Sequence, residues 1–486
     1  MEKLINGLND LLWSPALMWL CLGTGLYFTV RTRFLQVRHL PRMLRLLLGT
    51  KSSERGVSSF QAVSLAISGC VGTGNIAGVA TAIAMGGPGA VFWMWAIAFV
   101  GASSAFIEGT LAQIYKEEIG GRYRGGPAYY IERGLKMKWY AVTFAIATVL
   151  ATGFFLPGVQ SHSIAVAAQN AFNVPPVASG VFVVVVLGLI IFGGVTRLGK
   201  VAEMVVPFMA IGYLLTAAAV VVVHFREVPA VVALIFRSAF GADAAFGGIV
   251  GLAMSWGIKR GIFSNEAGQG TTPMAAAAAE VKHPARQGLV QSFVVYLDTW
   301  LICSATAFMI LLTGKYNVVN PAGGFLRENL PGVAYGPAFT QLAVDSVHSG
   351  FGPAFVALAL FFFAFTTLMA YYYYAETCVA YLRRHAVSPR LFNVLRVIFL
   401  VVVFYGTLRS TDLAWTMGDI GVGLMAWLNL IAILLLSKPA LACLRDYEAQ
   451  LRQGRAEPVY VAASAGVANA TFWKAEGASE GERRGT

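Results

Sequence analysis

Two stretches of the chain mix glycines with polar residues in a way that regular helix disfavours. One is Ser68-Gly69-Cys70-Val71-Gly72-Thr73-Gly74-Asn75-Ile76-Ala77-Gly78; the other is Gly261-Ile262-Phe263-Ser264-Asn265-Glu266-Ala267-Gly268-Gln269-Gly270. Both contain Asn-x-Ala-Gly, and both predict a local break, because glycine lowers helix stability. A break frees backbone groups. Freed N–H groups at a half-helix amino terminus suit a carboxylate, while freed carbonyls and hydroxyls can replace the water around a hard cation. Thr73 and Asn75 either meet such a ligand or satisfy the broken backbone themselves. Gln160, in Pro157-Gly158-Val159-Gln160, offers an uncharged amide that can accept from an ammonium group or bond a neighbouring helix. Gly72–Ala77 also fits G-x-G-x-x-A, but a dinucleotide fingerprint needs a strand before it and an acid about 20 residues on. The next acid here is Glu108, and the stretch lies inside an apolar segment. No H-E-x-x-H, G-x-S-x-G or Walker pattern occurs.

The elements that carry these stretches are membrane spans. Of 486 residues, 57% are hydrophobic and 12% charged, against about 25% charged in soluble domains; mean hydropathy is +0.66. So few charges cannot cover a water-soluble surface. The net charge of +12 does not indicate nucleic acid, since the basic residues form short clusters between apolar segments. The five cysteines, Cys21, Cys70, Cys303, Cys378 and Cys443, are widely spaced and form neither a disulfide framework nor a metal site. Segments of about 20 apolar residues give eleven candidate spans: A (11–30), B (58–84), C (90–115), D (139–172), E (176–195), F (201–223), G (245–281), H (288–313), I (352–382), J (391–408) and K (411–437).

Loop charges orient the bundle. One set of loops holds 28 Lys and Arg, the other 6, which places the amino terminus outside and the carboxyl terminus in the cytoplasm. An odd number of spans agrees with opposite termini. The expected organisation is residues 1–57 as an extra amino-terminal helix with a basic loop, 58–223 as a first five-helix unit, 245–437 as a second, and 438–486 as a polar cytoplasmic tail, disordered after about Asp446. B and G each open a block of five, so the blocks have opposite topology. Inverted repeats with matching broken helices point to the midplane binding site of a secondary transporter. Charges inside spans are functional candidates: Glu108, Lys259, Arg260, Glu266, Asp298, Glu376 and Asp419. Lys259, Arg260, Glu266 and Asp298 are expected to form a gating or ion-pair network, with Asp298 the one that could instead reach a cation.

At these residues the chain resembles the alanine/glycine:cation symporter family. The motifs are Gly72-Thr73-Gly74-Asn75-Ile76-Ala77-Gly78-Val79-Ala80, Gly86-Gly87-Pro88-Gly89-Ala90-Val91-Phe92-Trp93-Met94-Trp95, Arg124-Gly125-Gly126-Pro127-Ala128 and Phe263-Ser264-Asn265-Glu266-Ala267-Gly268, and the likeness spans about residues 10–440. It implies an all-α leucine-transporter-like fold of ten core helices in a five-plus-five inverted repeat, with A as the eleventh. By the same resemblance, substrate lies between the breaks, held by Thr73, Gly74 and Asn75 from B, Phe263 and Ser264 from G, and Gln160 from D. Cys70 stands where a polar residue such as Thr is expected. Tyr371 stands where the family commonly has Trp, which bears on pocket size. The cation is expected at Thr366 and Thr367 of segment I, facing freed carbonyls near Gly69 and Gly72. The alternative for each Thr is a bond back to its own helix.

The expected activity is import of alanine or glycine coupled to the sodium gradient in a bacterial plasma membrane. Proton coupling, a broader neutral amino-acid range or a channel are the rivals. No enzyme activity, no cofactor beyond sodium as coupling ion, and no partner beyond amino acid, cation and lipid bilayer are expected.

Overall fold

A computed structural model describes residues 2–48, 58–119, 121–384, 388–463 and 465–473. Helix dominates; the strands among these residues form two short antiparallel hairpins, Glu117–Ile119 with Arg122–Arg124 and Asn317–Val319 with Phe325–Glu328. Numbered along the chain, the helices of the bundle are α1 (Glu2–Leu12), α2 (Pro15–Arg31), α3 (Ser59–Cys70), α4 (Val79–Gly86), α5 (Gly89–Ile114), α6 (Lys138–Leu150), α7 (Leu156–Phe172), α8 (Pro176–Ile191) and α9 (Gly194–Val223). They continue as α10 (Val250–Asn265), α11 (Thr272–Ala278), α12 (Pro284–Val295), α13 (Ser304–Leu312), α14 (Gly352–Leu382), α15 (Pro389–Gly406), α16 (Thr411–Leu435) and α17 (Ser437–Arg452).

Among the described residues, eight helices are long and apolar enough to cross a bilayer. A ninth span is a bent pair, Phe60–Cys70 and Gly74–Gly86, at 42°. The chain is a multi-pass membrane protein. Two expected spans fall short of this test for physical reasons. In segment E, α8 has 16 residues, about 24 Å at 1.5 Å per residue against a hydrocarbon core of about 30 Å. Segment G, read as one stretch over 245–281, is two half-helices, α10 and α11. Between them Glu266, Gly268 and Gly270 take φ of 56°, 84° and 89°, a left-handed path that glycine allows freely.

Two other spans are locally unwound. A wide π turn at Ala151–Phe155 joins α6 to α7 just before Pro157, which has no N–H to give the ladder. A second, Tyr296–Cys303, joins α12 to α13. Packing then sets the centre: α5 lies against α2, α10 and α12, and α14 against α3, α7 and α9. Half-helix α10 lies on α4 and α11 on α3, so the two broken helices run side by side in opposite directions. The outer surface is the reverse of a soluble one, with Phe182, Leu189, Phe208, Leu215 and Val401 each more than half exposed.

The carboxyl-terminal region corrects the expectation of a disordered tail. Helix α17 runs to Arg452, and the chain beyond it lies back on the bundle. Tyr460 N donates to Lys282 O at 3.0 Å, and Trp473 Nε1 donates to Gln113 O at 2.8 Å. Its composition is polar, but Tyr460, Val467, Ala470 and Trp473 are buried, and a few anchors suffice when a surface exists to receive them. The expected boundary at 57 and the last stretch, 474–486, lie outside the described residues.

Candidate functional site

The break in segment B begins where α3 stops at Cys70. Val71 leaves the helical region (φ −80°, ψ 89°), and a π turn, Gly74–Gly78, resumes the span. Two N–H groups freed here are met by side chains: Gly72 N donates to Asn75 Oδ1 at 2.8 Å and Thr73 N to Gln160 Oε1 at 3.0 Å. Gly72 has to be glycine, because a Cβ there would sit 2.3 Å from Thr367 Oγ1 and 3.1 Å from Gln160 Oε1. Segments B, D and I therefore meet at one point, with Tyr371 buried beside them and its hydroxyl reaching the Gln160 amide.

Of the two threonines in α14, Thr367 faces the break. Its Oγ1 is 2.8 Å from Ser68 O and 3.3 Å from Val71 O, while also reaching Phe363 O at 3.0 Å. Thr366 Oγ1 turns back to Phe362 O and Phe363 O, both at 3.0 Å, with Met209 Sδ beyond. The carbonyls brought to the hydroxyl are those of Ser68 and Val71, each one residue before the Gly69 and Gly72 expected.

The other side of the break meets segments G and H. Asn75 Nδ2 donates to Asp298 Oδ1 at 2.6 Å, and Ser264 Oγ donates to the same oxygen at 3.0 Å. Thr299 Oγ1 donates to Asp298 Oδ2 at 2.8 Å, and Asn265 Nδ2 reaches Thr299. Thr306 closes the ring onto Asn75 O at 2.6 Å. One fully buried carboxylate thus ties both broken helices together, with no cationic side chain among the described residues paired to it. Gly74 approaches Ser264 closely enough that a Cβ would lie 3.1 Å from its Cα, and the Phe263 ring lies tilted against Trp415, with centroids 5.1 Å apart. Three buried oxygens around the break, Thr73 Oγ1, Tyr374 Oη and Glu266 Oε1, have no protein partner.

The expected four-residue charge network is in fact three separate arrangements. Lys259 Nζ and Arg260 Nη2 pair with Asp419, at 2.8 and 2.5 Å, and the Arg260 guanidinium lies 4.4 Å over Trp415. Glu266 is apart from them, accepting from Thr271 Oγ1 at 2.8 Å, and Asp298 is in the polar ring just described. The reason is helical phase: Lys259 and Arg260 lie in α10 before the break, whereas Glu266 has left the helix. Glu108 braces that same break, accepting from Gly268 N at 2.8 Å and from Asn429 Nδ2.

A second buried ion pair joins Arg124 Nη2 to Glu376 Oε1 at 2.7 Å, at the opposite end of the bundle. Between the two pairs lies the polar centre, and beyond Arg260 and Asp419 opens a cavity of about 550 Å³ lined also by Trp13, Lys259 and Tyr335. Glu376 and Asp419 carry a signal in sequence, being charges within spans. Which residue each one pairs with is not legible there, since 252 and 159 positions separate Glu376 from Arg124 and Asp419 from Arg260. Thr299, Cys303 and Thr306 gave no signal beyond being small polar residues in a span.

Two broken antiparallel helices meeting at a buried polar centre, flanked by ion pairs on either side, define a transporter-like membrane protein. The model of the sodium:alanine symporter family matches residues 1–462, and the chain belongs to that family. It is 59% identical over 483 residues to the putative sodium/proton-dependent alanine carrier protein YrbD of Bacillus subtilis, covering 99% of this chain and 100% of that one. It is 52% identical to the sodium/proton-dependent alanine carrier protein of Bacillus sp. PS3, over 89% of this chain and 97% of the relative. To the sodium/alanine symporter AgcS of Methanococcus maripaludis it is 37% identical, over 90% and 94% of the two chains.

Proposed function

We propose that this chain is a symporter that imports a small neutral amino acid, alanine or glycine, with a sodium ion, across a bacterial plasma membrane. The observation that carries the reading is Thr367 Oγ1 held against the Ser68 and Val71 carbonyls. Three neutral oxygens from a helix and a break are what a hard monovalent cation exchanges its water for. In this reading all eleven segments span, the amino terminus is outside, and B–F and G–K form a leucine-transporter-like inverted repeat. The antiparallel contact of α10 with α4 and α11 with α3 supports it.

Substrate would lie between the breaks. Its carboxylate meets the break at Gly74, with the orphaned Thr73 hydroxyl as a donor. Its ammonium takes the second lone pair of Gln160 Oε1, since an amide oxygen accepts twice. Phe263, Ser264 and Tyr371 bound the side chain and limit it to a small one. Asn75 acts indirectly, as its amide is spent on Gly72 and Asp298. Filling the cation site fixes the break that the amino acid uses, so each ligand favours the other. The Arg260–Asp419 and Arg124–Glu376 pairs close the outer and inner routes in turn. No bond in the amino acid is made or broken, no cofactor is required, and the chain is not an enzyme.

Proton coupling is the second reading, favoured by Asp298, whose buried carboxylate has no cationic side chain beside it. Accumulation of labelled alanine by proteoliposomes under an imposed sodium gradient, an imposed pH gradient, or neither, tests both. Accumulation that follows neither gradient would overturn the symport reading.

A further inference from the structure

A second cavity, of about 260 Å³, lies at the end of the bundle that carries most of the Lys and Arg. Its walls include Arg122 and Arg124 from the first hairpin, Glu376 from α14, and Ser388, Phe392 and Arg396 at the start of α15. Three guanidinium groups thus face one carboxylate, leaving an excess of positive charge in a recess. Arg124 is only 5% exposed. Its Nη2 is spent on Glu376 at 2.7 Å, while Nε and Nη1 have no partner. Buried guanidinium donors left unpaired are costly, so a site that keeps them is built for an acceptor from outside the protein.

The surroundings state the acceptor's chemistry. Arg is suited to oxyanions because its planar fork donates two parallel hydrogen bonds. The amino terminus of α15, an 18-residue helix, opens on the same recess and favours negative charge. Ser388 Oγ accepts from Leu391 N at 3.3 Å, which leaves its hydroxyl proton free to donate. The volume exceeds the roughly 30 Å³ share of one water severalfold, enough for a phosphate with part of an ester. The mouth adjoins the lipid-facing side of the bundle: Val394, Val397 and Val401 of α15 are each more than half exposed. Phe192, also half exposed, lies 5.5 Å beneath the Arg396 guanidinium.

We propose that this recess binds a phosphate oxyanion, held by Arg122, Arg124, Arg396 and the start of α15, the position at which an anionic phospholipid headgroup meets the bundle. The site is distinct from the midplane centre. It touches the transport path only at the Arg124–Glu376 pair, whose two members both line the recess.

Binding is measured on the full-length chain without reference to transport. The purified protein is exchanged into mixtures of phosphatidylcholine and phosphatidylglycerol, and lipids retained after delipidation are counted by native mass spectrometry. In parallel, thermal stabilisation by inorganic phosphate is compared with chloride at equal ionic strength. Retention of phosphatidylglycerol over phosphatidylcholine, reduced about fivefold by each of Arg122→Gln and Arg396→Gln and unchanged by Arg33→Gln, an exposed residue just after α2 and outside the recess, supports the proposal with lipid as the source. Stabilisation by inorganic phosphate that both variants abolish, without lipid preference, supports it with a free anion as the source. If the wild type shows neither, or if Arg122→Gln and Arg396→Gln behave as wild type in both, the proposal is overturned. Arg124 is left intact, so the Arg124–Glu376 pair is not a variable.

Discussion

The hydroxyl of Thr367 lies 2.8 Å from the carbonyl oxygen of Ser68, 299 positions earlier in the chain. Its neighbour Thr366 makes no such reach and bonds its own helix instead. Adjacent helical residues point about 100° apart, so only one of the pair can face the break. Thr367→Ala should therefore raise the sodium concentration for half-maximal alanine uptake by several-fold, in line with the loss of about 1 kcal/mol of oxygen ligation. Thr366→Ala should leave it near wild type. Equal sodium dependence in wild type and Thr367→Ala would place the coupling ion elsewhere.

Gln160 holds Thr73 N–H as well as facing the space for the ammonium group. Gln160→Ala should weaken alanine binding by about 1–3 kcal/mol, the cost of leaving a buried donor unpaired. Gln160→Glu keeps the acceptor and should retain part of the affinity. Calorimetric titration with alanine at saturating sodium checks both. Unchanged affinity in the alanine variant would make Gln160 a purely structural residue.

Asp419 answers two buried cations at once. Asp419→Asn leaves Lys259 and Arg260 without a counter-charge, and breaking a buried pair costs about 3–5 kcal/mol. A lowered thermal midpoint in detergent, together with lost uptake, is expected. Asp419→Glu should restore part of both. A stable and active Asp419→Asn protein would remove the pair from the outer closure.

Acid should loosen the carboxyl-terminal region. His283 precedes α12, where its Nδ1 accepts from Ala285 N at 3.2 Å and its Nε2 meets Asp446 Oδ2 at 3.0 Å. Burial holds its imidazole down to about 4 from the usual 6.5. Glu448 is held at about 2, chiefly by its hydrogen bond from His39 and with help from Arg38. Both values are depressed, so the docked form binds fewer protons than the released one. Its stability is full above about 6.5, falls as His283 is driven towards protonation between 6.5 and 4, and falls again through Glu448 between 4.5 and 2. Protonating Nδ1 also removes the acceptor for Ala285. Limited proteolysis should find Arg452 and Arg455 protected at pH 8 and cleaved increasingly below about pH 6. Cleavage that does not vary with pH would show that neither group governs docking.

Orientation is open to direct test. A reporter active only in the cytoplasm should work when fused after residue 473 and fail when inserted in the 314–350 loop; the reverse pattern would overturn the charge-based topology.

Much of the centre was legible because glycine and proline announce breaks in any apolar segment. The two Gly-rich stretches, Gln160 after Pro157, and Thr367 of the mid-span threonine pair are brought together. What was hidden depends on phase and distance. Composition could not say which threonine of a pair turns inward, that the carbonyls involved belong to Ser68 and Val71, or that Glu266 leaves the helix before it can join Arg260. Pairings such as Arg124 with Glu376 arise only once helices far apart in sequence are packed. The tail was misread for a related reason. Its few aromatic anchors are invisible in an average, and Phe472 and Trp473 are received by the Gln113 carbonyl, the Lys116 ammonium against both rings, and Tyr123 of the first hairpin.

Gln113 grips two things at once. Its side-chain nitrogen holds Ala276 O and Ala279 O at the end of α11, the second half of the second broken helix, and its carbonyl holds the Trp473 indole. Half-helix and tail are therefore hitched to a single peg on α5. Any swing of α11 away from α5 must snap the amide's two bonds or drag the peg, and with it the indole. The segment ending at Trp473 is thus harnessed to the second half of the broken helix, and shortening the chain before Trp473 would take one of the two loads off that peg.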